Sequence, residues 1–299
     1  MSAETVNRQW LLARRPRGQV SVDDFARRDA PLPQADLAAG EILVRNLMLG
    51  FDPAQRGWMD DVPSYLPPMM IDEVVRGSAA ARVVASANPA YPEGSMVRGL
   101  FGWQDYAVAA RAGDPDPVAI AAGTTPEEAL GVFGAASLTA YVGMHDVGRL
   151  RAGDCVLVSG AAGAVGSVAV QIARLPGGRV RGIAGGAEKC RWLIEDYGAD
   201  AAIDYRNEDV RARLGALAPD GIDLFFDNVG GATLEAAIAH IARFGRIILC
   251  GAISGYNDRQ GAPGPRNLMR LIPQRAEMRG FILLAHLDRI PPARAHLRQ

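Results

Sequence analysis

A glycine-rich segment directly after an apolar run constrains this chain more than any other feature of its sequence. The apolar run covers 155–159, Gly160, Gly163 and Gly166 follow it, and a helical pattern begins at 165. A strand, a tight glycine turn and a helix form the unit that binds the pyrophosphate of a dinucleotide. Gly160 suits the turn, Gly163 lets the backbone approach phosphate, and Gly166 lets the helix pack on the strand. We therefore expect a dinucleotide at the helix N-terminus, whose N–H groups and dipole attract phosphate. The alternative is a tight turn without a ligand.

The second half of the chain repeats this pattern of apolar strand and amphipathic helix. Strands buried on both faces read as unbroken apolar runs, and helical crossovers connect parallel strands. We expect an α/β fold with a doubly wound parallel sheet. The expected strands are 155–159, 179–184, 201–204, 222–226 and 246–250, and the expected helices are 165–175, 188–197 and 232–243.

The first half reads as β structure. Short runs with β-branched or alternating residues are separated by many prolines, which predicts an irregular antiparallel β unit. Thr125 precedes Pro126, Glu127 and Glu128, and a hydroxyl cap followed by proline and acids starts a helix well. We expect that helix to reach about Val147 and to open the second domain. The expected strands of the first half are 41–45, 80–85, 95–98 and 106–109.

Charge and cysteine content exclude several classes of protein. The chain has 32 Lys+Arg against 33 Asp+Glu, so no global field attracts nucleic acid or an anionic membrane. Neither an apolar run of about 18 residues nor a signal-peptide core occurs. The three cysteines are too few for a disulfide framework and too widely spaced for a zinc knuckle. We expect a cytoplasmic protein without a nucleic-acid or membrane partner.

The end of the second predicted strand indicates which dinucleotide binds. NAD sites usually have an acid there, about 20 residues after the glycines, which holds the ribose 2′-OH. Gly185 and Gly186 stand at that place, and Lys189 follows three residues later. We therefore expect NADPH, with Lys189 as the main cation for its 2′-phosphate. Tyr205 and Arg206, after the third strand, could complete the phosphate pocket; the alternative for Arg206 is a surface cation.

Six motifs spread over nearly the whole chain resemble those of one family. It is the zinc-independent branch of the medium-chain dehydrogenase/reductase superfamily, with its prostaglandin and leukotriene reductases, plant and bacterial double-bond reductases and curcumin-type reductases. The motifs lie at 138–141, 159–167, 182–189, 227–231, 250–257 and 279–281.

The resemblance implies a fold and a reaction. It implies a GroES-like substrate domain at 1–125, a Rossmann domain for NADPH at 126–299, a cleft between them and a homodimer. The implied reaction reduces the activated carbon–carbon double bond of a small α,β-unsaturated ketone or aldehyde. Hydride moves to the β-carbon, the enolate is stabilised by a hydrogen bond, and the α-carbon is then protonated. The cofactor carries the difficult chemistry, so no metal is needed.

The same resemblance implies a set of site residues. Tyr256 is the first candidate to donate to the enolate oxygen, because a phenol stays protonated at neutral pH. Its alternative is a tyrosine that shields the cofactor. Tyr65 is the second candidate, with packing as its alternative. The implied cofactor contacts are Thr139, Gly160, Gly163, Ala164, Val165, Gly166, Gly185, Gly186, Lys189, Tyr205, Asn228, Cys250, Ile253, Ser254 and Tyr256.

The absence of zinc ligands and two departures from the resembling family bear on these expectations. The zinc-dependent relatives need Cys and His ligands in their first half, where this chain has no Cys and only His145, so we expect no metal. The segment 134–137 lacks the proline and second glycine of the family's turn near the nicotinamide. After 280–284 the family adds two helices and a returning strand, about 40 residues. Here the sequence stops at Gln299, so we expect that segment to be missing and to leave a sheet edge unpaired.

Two rival functions remain open at this point. Quinone reduction with NADPH shares the fold and the cofactor, although the segments 253–256 and 185–189 favour double-bond reduction. The other rival is a truncated, non-catalytic dinucleotide-binding protein.

Overall fold

The computed structural model describes residues 6–33, 36–113, 115–258 and 264–298. The chain divides into two compact units, Met1–Val132 and Phe133–Gln299. Each unit is described by itself below.

The N-terminal unit is built from antiparallel strands, as the sequence predicts. Two strands pair in one small sheet, and the described residues form a second sheet in the order β6-β3-β4-β5-β7. Val44, Ala81 and Val97 are completely buried in one apolar cluster on one face of this sheet. Side chains two residues apart on a strand share a face, so Ala79 and Val83 enter the same cluster as Ala81. The strands are β1 Val6–Leu12, β2 Phe25–Pro31, β3 Ile42–Leu49, β4 Ala79–Ser86, β5 Met96–Gly99, β6 Tyr106–Ala109 and β7 Val118–Ala119, and α1 spans Ala54–Trp58 between β3 and β4.

The predicted helix start at Thr125 is confirmed, but the length predicted for this helix is wrong. Thr125 Oγ1 accepts from the N–H of Glu128 at 3.2 Å, and the Glu128 carboxylate accepts from the N–H of Thr125 at 2.8 Å. The helix α2, Pro126–Leu130, ends at Gly131, and α3, Ala135–Val142, begins after Gly134 in extended backbone. A π-helical turn, Gly143–Val147, follows. The glycines break a segment whose residues otherwise favour helix.

The C-terminal unit holds a parallel sheet, which confirms the doubly wound prediction. Its strand order is β10-β9-β8-β11-β12-β13 within the described residues, and neighbouring strands pair in parallel. The strands are β8 Cys155–Val158, β9 Arg179–Ala184, β10 Ala201–Asp204, β11 Ile222–Asp227, β12 Ile241–Leu249 and β13 Glu277–Gly280, and the helices are α4 Ala164–Arg174, α5 Ala187–Glu195, α6 Val210–Leu217, α7 Gly231–Ala239, α8 Leu271–Gln274 and α9 Ile290–Leu297.

The central strands explain why their sequences are uniformly apolar. Val156, Leu157 and Val158 of β8 have no exposed surface, and neither have Phe225 and Phe226 of the neighbouring β11. Alternate side chains enter two separate clusters, one on each face of the sheet. Helices cover both faces, so both faces must be apolar.

The predicted helix at 232–243 extends too far. Helix α7 ends at Ala239, and Ile241 already pairs with Ile222 as the first residue of β12. Apart from His240, the residues from 236 to 242 are alanines and isoleucines, so the sequence is apolar in both elements. Periodicity therefore could not show where helix gives way to strand.

Among the described residues, every helix is too short or too polar to span a membrane.

Candidate functional site

The glycine turn after β8 brings the start of α4 very close to the backbone of the preceding strand. Gly160 has a φ of +55°, a conformation that favours glycine. A Cβ on Gly166 would lie 2.2 Å from the carbonyl oxygen of Gly160, so only glycine fits there. Helix α4 begins after Gly163 without a side-chain cap, and Ala164 and Val165 are its first residues. Their N–H groups have no acceptor within the helix, so this end of α4 can bind phosphate oxygens.

A buried pair of side chains joins the carboxyl ends of β8 and β11. Ser159 Oγ donates to Asp227 Oδ1 at 2.6 Å, and both residues are fully buried. The N–H groups of Val229 and Gly230 also donate to the Asp227 carboxylate, at 3.0 and 3.1 Å. Burial raises the pKa of Asp227, and the hydrogen bonds from Ser159, Val229 and Gly230 oppose that shift. These donors therefore stabilise the ionised form of the carboxyl group against the cost of burial.

Asn228 is held by the same pair. Its backbone N–H donates to Ser159 Oγ at 2.8 Å, and its side-chain Nδ2 donates to the Ser159 carbonyl at 2.7 Å. The turn uses one of the two Nδ2 hydrogens, so the other hydrogen and Oδ1 are left for the expected cofactor contact at Asn228.

The loop after β12 is attached to this turn by its backbone. The N–H of Cys250 donates to the Asp227 carbonyl at 2.9 Å, and the N–H of Ile253 donates to the Asn228 carbonyl at 3.2 Å. Ser254 Oγ donates to the Val229 carbonyl at 2.6 Å. Burial, with a further contribution from Asp227, raises the pKa of the Cys250 thiol to about 12. Cys250 is thus a neutral packing group in this loop and not a nucleophile.

Tyr256 lies in the same loop, just after the short 3₁₀ turn Ile253–Gly255. Its hydroxyl oxygen lies over Gly251, where a Cβ would be 3.1 Å away, and it accepts from the N–H of Ala252 at 3.4 Å. Since the oxygen acts as the acceptor in this bond, the hydroxyl hydrogen can be donated elsewhere. The side chain is half-buried, so a bound molecule could reach it.

A second group of expected residues meets at the carboxyl ends of β9 and β10. A Cβ on Gly185 would lie 2.9 Å from both Arg206 Nε and the Tyr205 hydroxyl, so both side chains cover this glycine. Gly186 has a φ of +102° and precedes α5. Lys189 is exposed in the first turns of α5, and it is the only lysine in the chain.

The structure adds Asp204 to this group. It is the last residue of β10, it is 7% exposed, and its Oδ1 accepts from the N–H of Gly186 at 2.8 Å. Sequence reasoning missed it because only the end of the second strand was searched for an acid. Its place directly before Tyr205, at the end of the next strand, was the available signal.

The remaining expected residues are Thr139 and Tyr65. Thr139 is half-buried within α3 of the C-terminal unit. Tyr65 belongs to the N-terminal unit, where its ring is 43% exposed and contacts Trp58 edge to face with the centroids 6.3 Å apart. Across the described ranges, no cluster of three or more His, Cys, Asp or Glu side chains could hold a metal ion.

The sequence matches two protein-family models. Residues 8–115 match the N-terminal domain of oxidoreductase, and residues 164–297 match the family described as zinc-binding dehydrogenase.

Individual relatives match most of the chain. The NADPH-dependent curcumin reductase of Escherichia coli (strain K12) is 39% identical over 93% of this chain and 80% of its own length. The 2-alkenal reductase (NADP(+)-dependent) of Nicotiana tabacum is 33% identical over 97% of this chain and 85% of its own length. The crystal structure of CurA in complex with NADPH from Vibrio vulnificus has a TM-score of 0.90 and 37% identity, with 98% of this chain and 87% of that chain covered.

We predict that Ser159→Ala lowers the free energy of unfolding by about 1–3 kcal/mol, because a buried carboxylate loses a donor and the N–H of Asn228 loses its acceptor. The loss should be larger at pH 7 than near pH 4. Losing the donor raises the pKa of Asp227 in the folded protein further above its ordinary value of about 3.9. A carboxyl group with a raised pKa lowers stability only at a pH at which it is ionised in the unfolded protein, so the cost is present at pH 7 and mostly absent near pH 4. Urea unfolding at both pH values measures this.

Ser254→Ala is the matched control, because its hydroxyl also donates to this turn but is exposed. We expect it to change stability by no more than about 0.5 kcal/mol. Equal losses in the two variants, or a loss independent of pH, would contradict the role given to Ser159.

Proposed function

Since the chain belongs to the zinc-independent double-bond reductase branch of the medium-chain dehydrogenase/reductase family, we propose that it uses NADPH to reduce the activated double bond of α,β-unsaturated ketones or aldehydes. The relatives named above are NADPH- or NADP(+)-dependent reductases by their own names. The observation that carries the proposal in this chain is the Gly185–Gly186 turn covered by Tyr205 and Arg206. At this turn no acid follows β9, and the side chain of Arg206 supplies a cation there instead.

The two units have different roles in this proposal. The GroES-like domain, 1–125, binds the substrate, and the Rossmann domain, 126–299, binds NADPH. The second role is supported by the glycine turn at Gly160–Gly166, which precedes α4 and lies wholly in the C-terminal unit.

The pyrophosphate of NADPH would lie at the start of α4. Gly166 removes the side chain that would separate helix from strand, and Gly163 opens the approach to the first N–H groups. Ala164 and Val165 would contribute backbone N–H donors together with Gly160.

The 2′-phosphate would lie at Gly185, between the side chains that already meet there. Arg206 and Lys189 would supply positive charge, and the Tyr205 hydroxyl would supply a hydrogen bond. The nicotinamide end would lie at the carboxyl ends of β8, β11 and β12, where such sheets bind ligands. There the proposed contacts are Thr139, Asn228, Cys250, Ile253, Ser254 and Tyr256.

When bound, NADPH supplies the hydride that moves to the β-carbon of the substrate. The chain's own contribution is a hydrogen-bond donor for the oxygen on which negative charge develops. Tyr256 is our first candidate, because its hydroxyl oxygen is held by Ala252 while its hydrogen remains to be donated. Tyr65 is the second candidate. No zinc is required in this scheme, and the first 154 residues contain no cysteine that could bind one.

We also propose a cytoplasmic homodimer. Strand β13 is at the edge of the described sheet, and Met269 and Ile272 expose 71% and 66% of their surface. A strand at the edge of the described sheet and exposed apolar side chains in the same unit are features that a second copy could cover.

The proposed function is tested by supplying NADPH with an α,β-unsaturated aldehyde such as nonenal, and separately with a quinone. We expect oxidation of NADPH with the unsaturated aldehyde. Turnover of the quinone alone would favour a quinone reductase, and binding of NADPH without any turnover would favour a non-catalytic protein.

We predict that Lys189→Ala raises the KM for NADPH about tenfold or more, as the loss of one charged contact of about 1.5–3 kcal/mol implies, and leaves the KM for NADH almost unchanged. Arg191→Ala is the control, because it removes the same charge from an exposed place on α5. An unchanged preference for NADPH over NADH in Lys189→Ala would disprove the assignment.

Because Lys189 is the only lysine, amine acylation followed by peptide mass spectrometry gives a second measurement. NADPH should slow acylation of Lys189, and the α-amino group of the chain is the internal control.

We predict that Tyr256→Phe lowers kcat by about tenfold or more and changes the affinity for NADPH by less than about threefold. The variant loses one donor to the developing oxyanion but keeps the ring. Tyr65→Phe is measured beside it. If only Tyr65→Phe lowers kcat, the donor is Tyr65, and an unchanged kcat in Tyr256→Phe removes Tyr256 from the mechanism.

A further inference from the structure

Asp204 is a buried carboxylate that connects the two turns of the proposed 2′-phosphate site. Its Oδ1 accepts from the N–H of Gly186 at 2.8 Å and from the N–H of Arg206 at 3.1 Å. Its Oδ2 accepts from Asn207 Nδ2 at 2.7 Å. The N–H of Gly186 is the largest cause of a lowered pKa at Asp204, followed by the Asn207 side chain, so the group is ionised at neutral pH.

These bonds determine where the side chains of the site can lie. Gly186 has a φ of +102°, and the bond to Asp204 holds this glycine in that conformation. The bond to the N–H of Arg206 holds the next turn, from which Tyr205 and Arg206 reach over Gly185. One side chain therefore positions both the floor of the site and the groups that cover it.

Engagement of both carboxylate oxygens also affects which ribose can bind. In NAD sites an acid at this edge of the sheet accepts a hydrogen bond from the ribose 2′-OH. Asp204 is close to the same turn, but three of the about four acceptor positions on its two oxygens are already used by donors of the protein itself, which leaves one position on Oδ2.

We propose that Asp204 is a positioning residue that sets the preference for a 2′-phosphate over a 2′-hydroxyl, by holding the Gly185–Gly186 turn and Arg206 in their binding arrangement. The proposal rests on the proposed function, because it takes NADPH as the cofactor.

Electrostatics alone predicts the opposite effect, which makes the proposal testable. The site contains the acids Asp204 and Glu208, and the Glu208 carboxylate is 2.6 Å from Arg213 Nε. Removing the negative charge of Asp204 would strengthen binding of a phosphate if charge were the only factor. If Asp204 positions the turns, its removal weakens that binding.

The test measures binding of two adenine nucleotides by isothermal titration calorimetry: 2′,5′-ADP, which carries the 2′-phosphate, and 5′-AMP, which lacks only that phosphate. For Asp204→Ala we expect the Kd of 2′,5′-ADP to rise about tenfold or more and the Kd of 5′-AMP to change by less than about twofold. Asp204→Ser, whose hydroxyl is too short to reach both turns, is measured in parallel and should show the same direction of change. It keeps the test usable if the alanine variant does not fold.

Asp204→Asn is the rescue variant. Its amide oxygen can still accept from Gly186 and Arg206, and Asn207 can turn its own amide to accept from the new NH₂ group. We expect the ratio of the two Kd values to return to within about threefold of the wild-type ratio. A neutral side chain that restores the preference assigns the effect to positioning.

Asp200→Ala is the structural control. Asp200 stands at the other end of β10, where Oδ2 accepts from the N–H of Val180 at 2.7 Å and Oδ1 from Arg174 Nη1 at 2.9 Å. Its loss should lower the melting temperature without changing the ratio of the two Kd values.

Three results would overturn the proposal: an unchanged ratio in Asp204→Ala, tighter binding of 2′,5′-ADP in that variant, or an equal loss in Asp204→Asn. A wild-type protein that binds 5′-AMP as tightly as 2′,5′-ADP would instead contradict NADPH as the cofactor, and the inference would fail with it.

Discussion

The buried hydrogen bond between Ser159 and Asp227 is the interaction on which the candidate site depends. It joins the ends of β8 and β11, and the carbonyl groups of 227–229 in turn hold the loop that carries Tyr256. A carboxylate without a cation is costly in a protein interior unless several donors satisfy it. Here a hydroxyl and two backbone N–H groups do so, which ties the local geometry to the ionisation of one acid.

A similar principle operates at the opposite corner of the site. Asp204 connects the turns after β9 and β10 as Asp227 connects those after β8 and β11. In both places an acid holds backbone N–H groups of the turns. The cofactor would then be bound by glycine turns and cations whose positions these two acids determine.

Much of this architecture can be read from the sequence, and the failures have physical reasons. The turn at Gly160–Gly166 and the cap at Thr125 are local features, so their residues alone predict them. The helix predicted at 125–147 is interrupted between Gly131 and Gly134, and the helix predicted at 232–243 ends at Ala239 because Ile241 already pairs with a neighbouring strand. Asp204 was missed because the acid of a dinucleotide site is expected at the end of the second strand, whereas Asp204 ends the third and acts through the backbone N–H groups of both turns. The assignment of each site residue to a contact with NADPH remains a prediction.

The most direct test of the central claim uses NADPH that carries deuterium at the transferable position of its nicotinamide, together with an enone. Mass spectrometry and NMR of the product locate the label. We expect one deuterium on the β-carbon and a proton from water on the α-carbon of a saturated carbonyl compound. Deuterium on the carbonyl carbon, or no saturated product while NADPH remains bound, would contradict double-bond reduction by this protein.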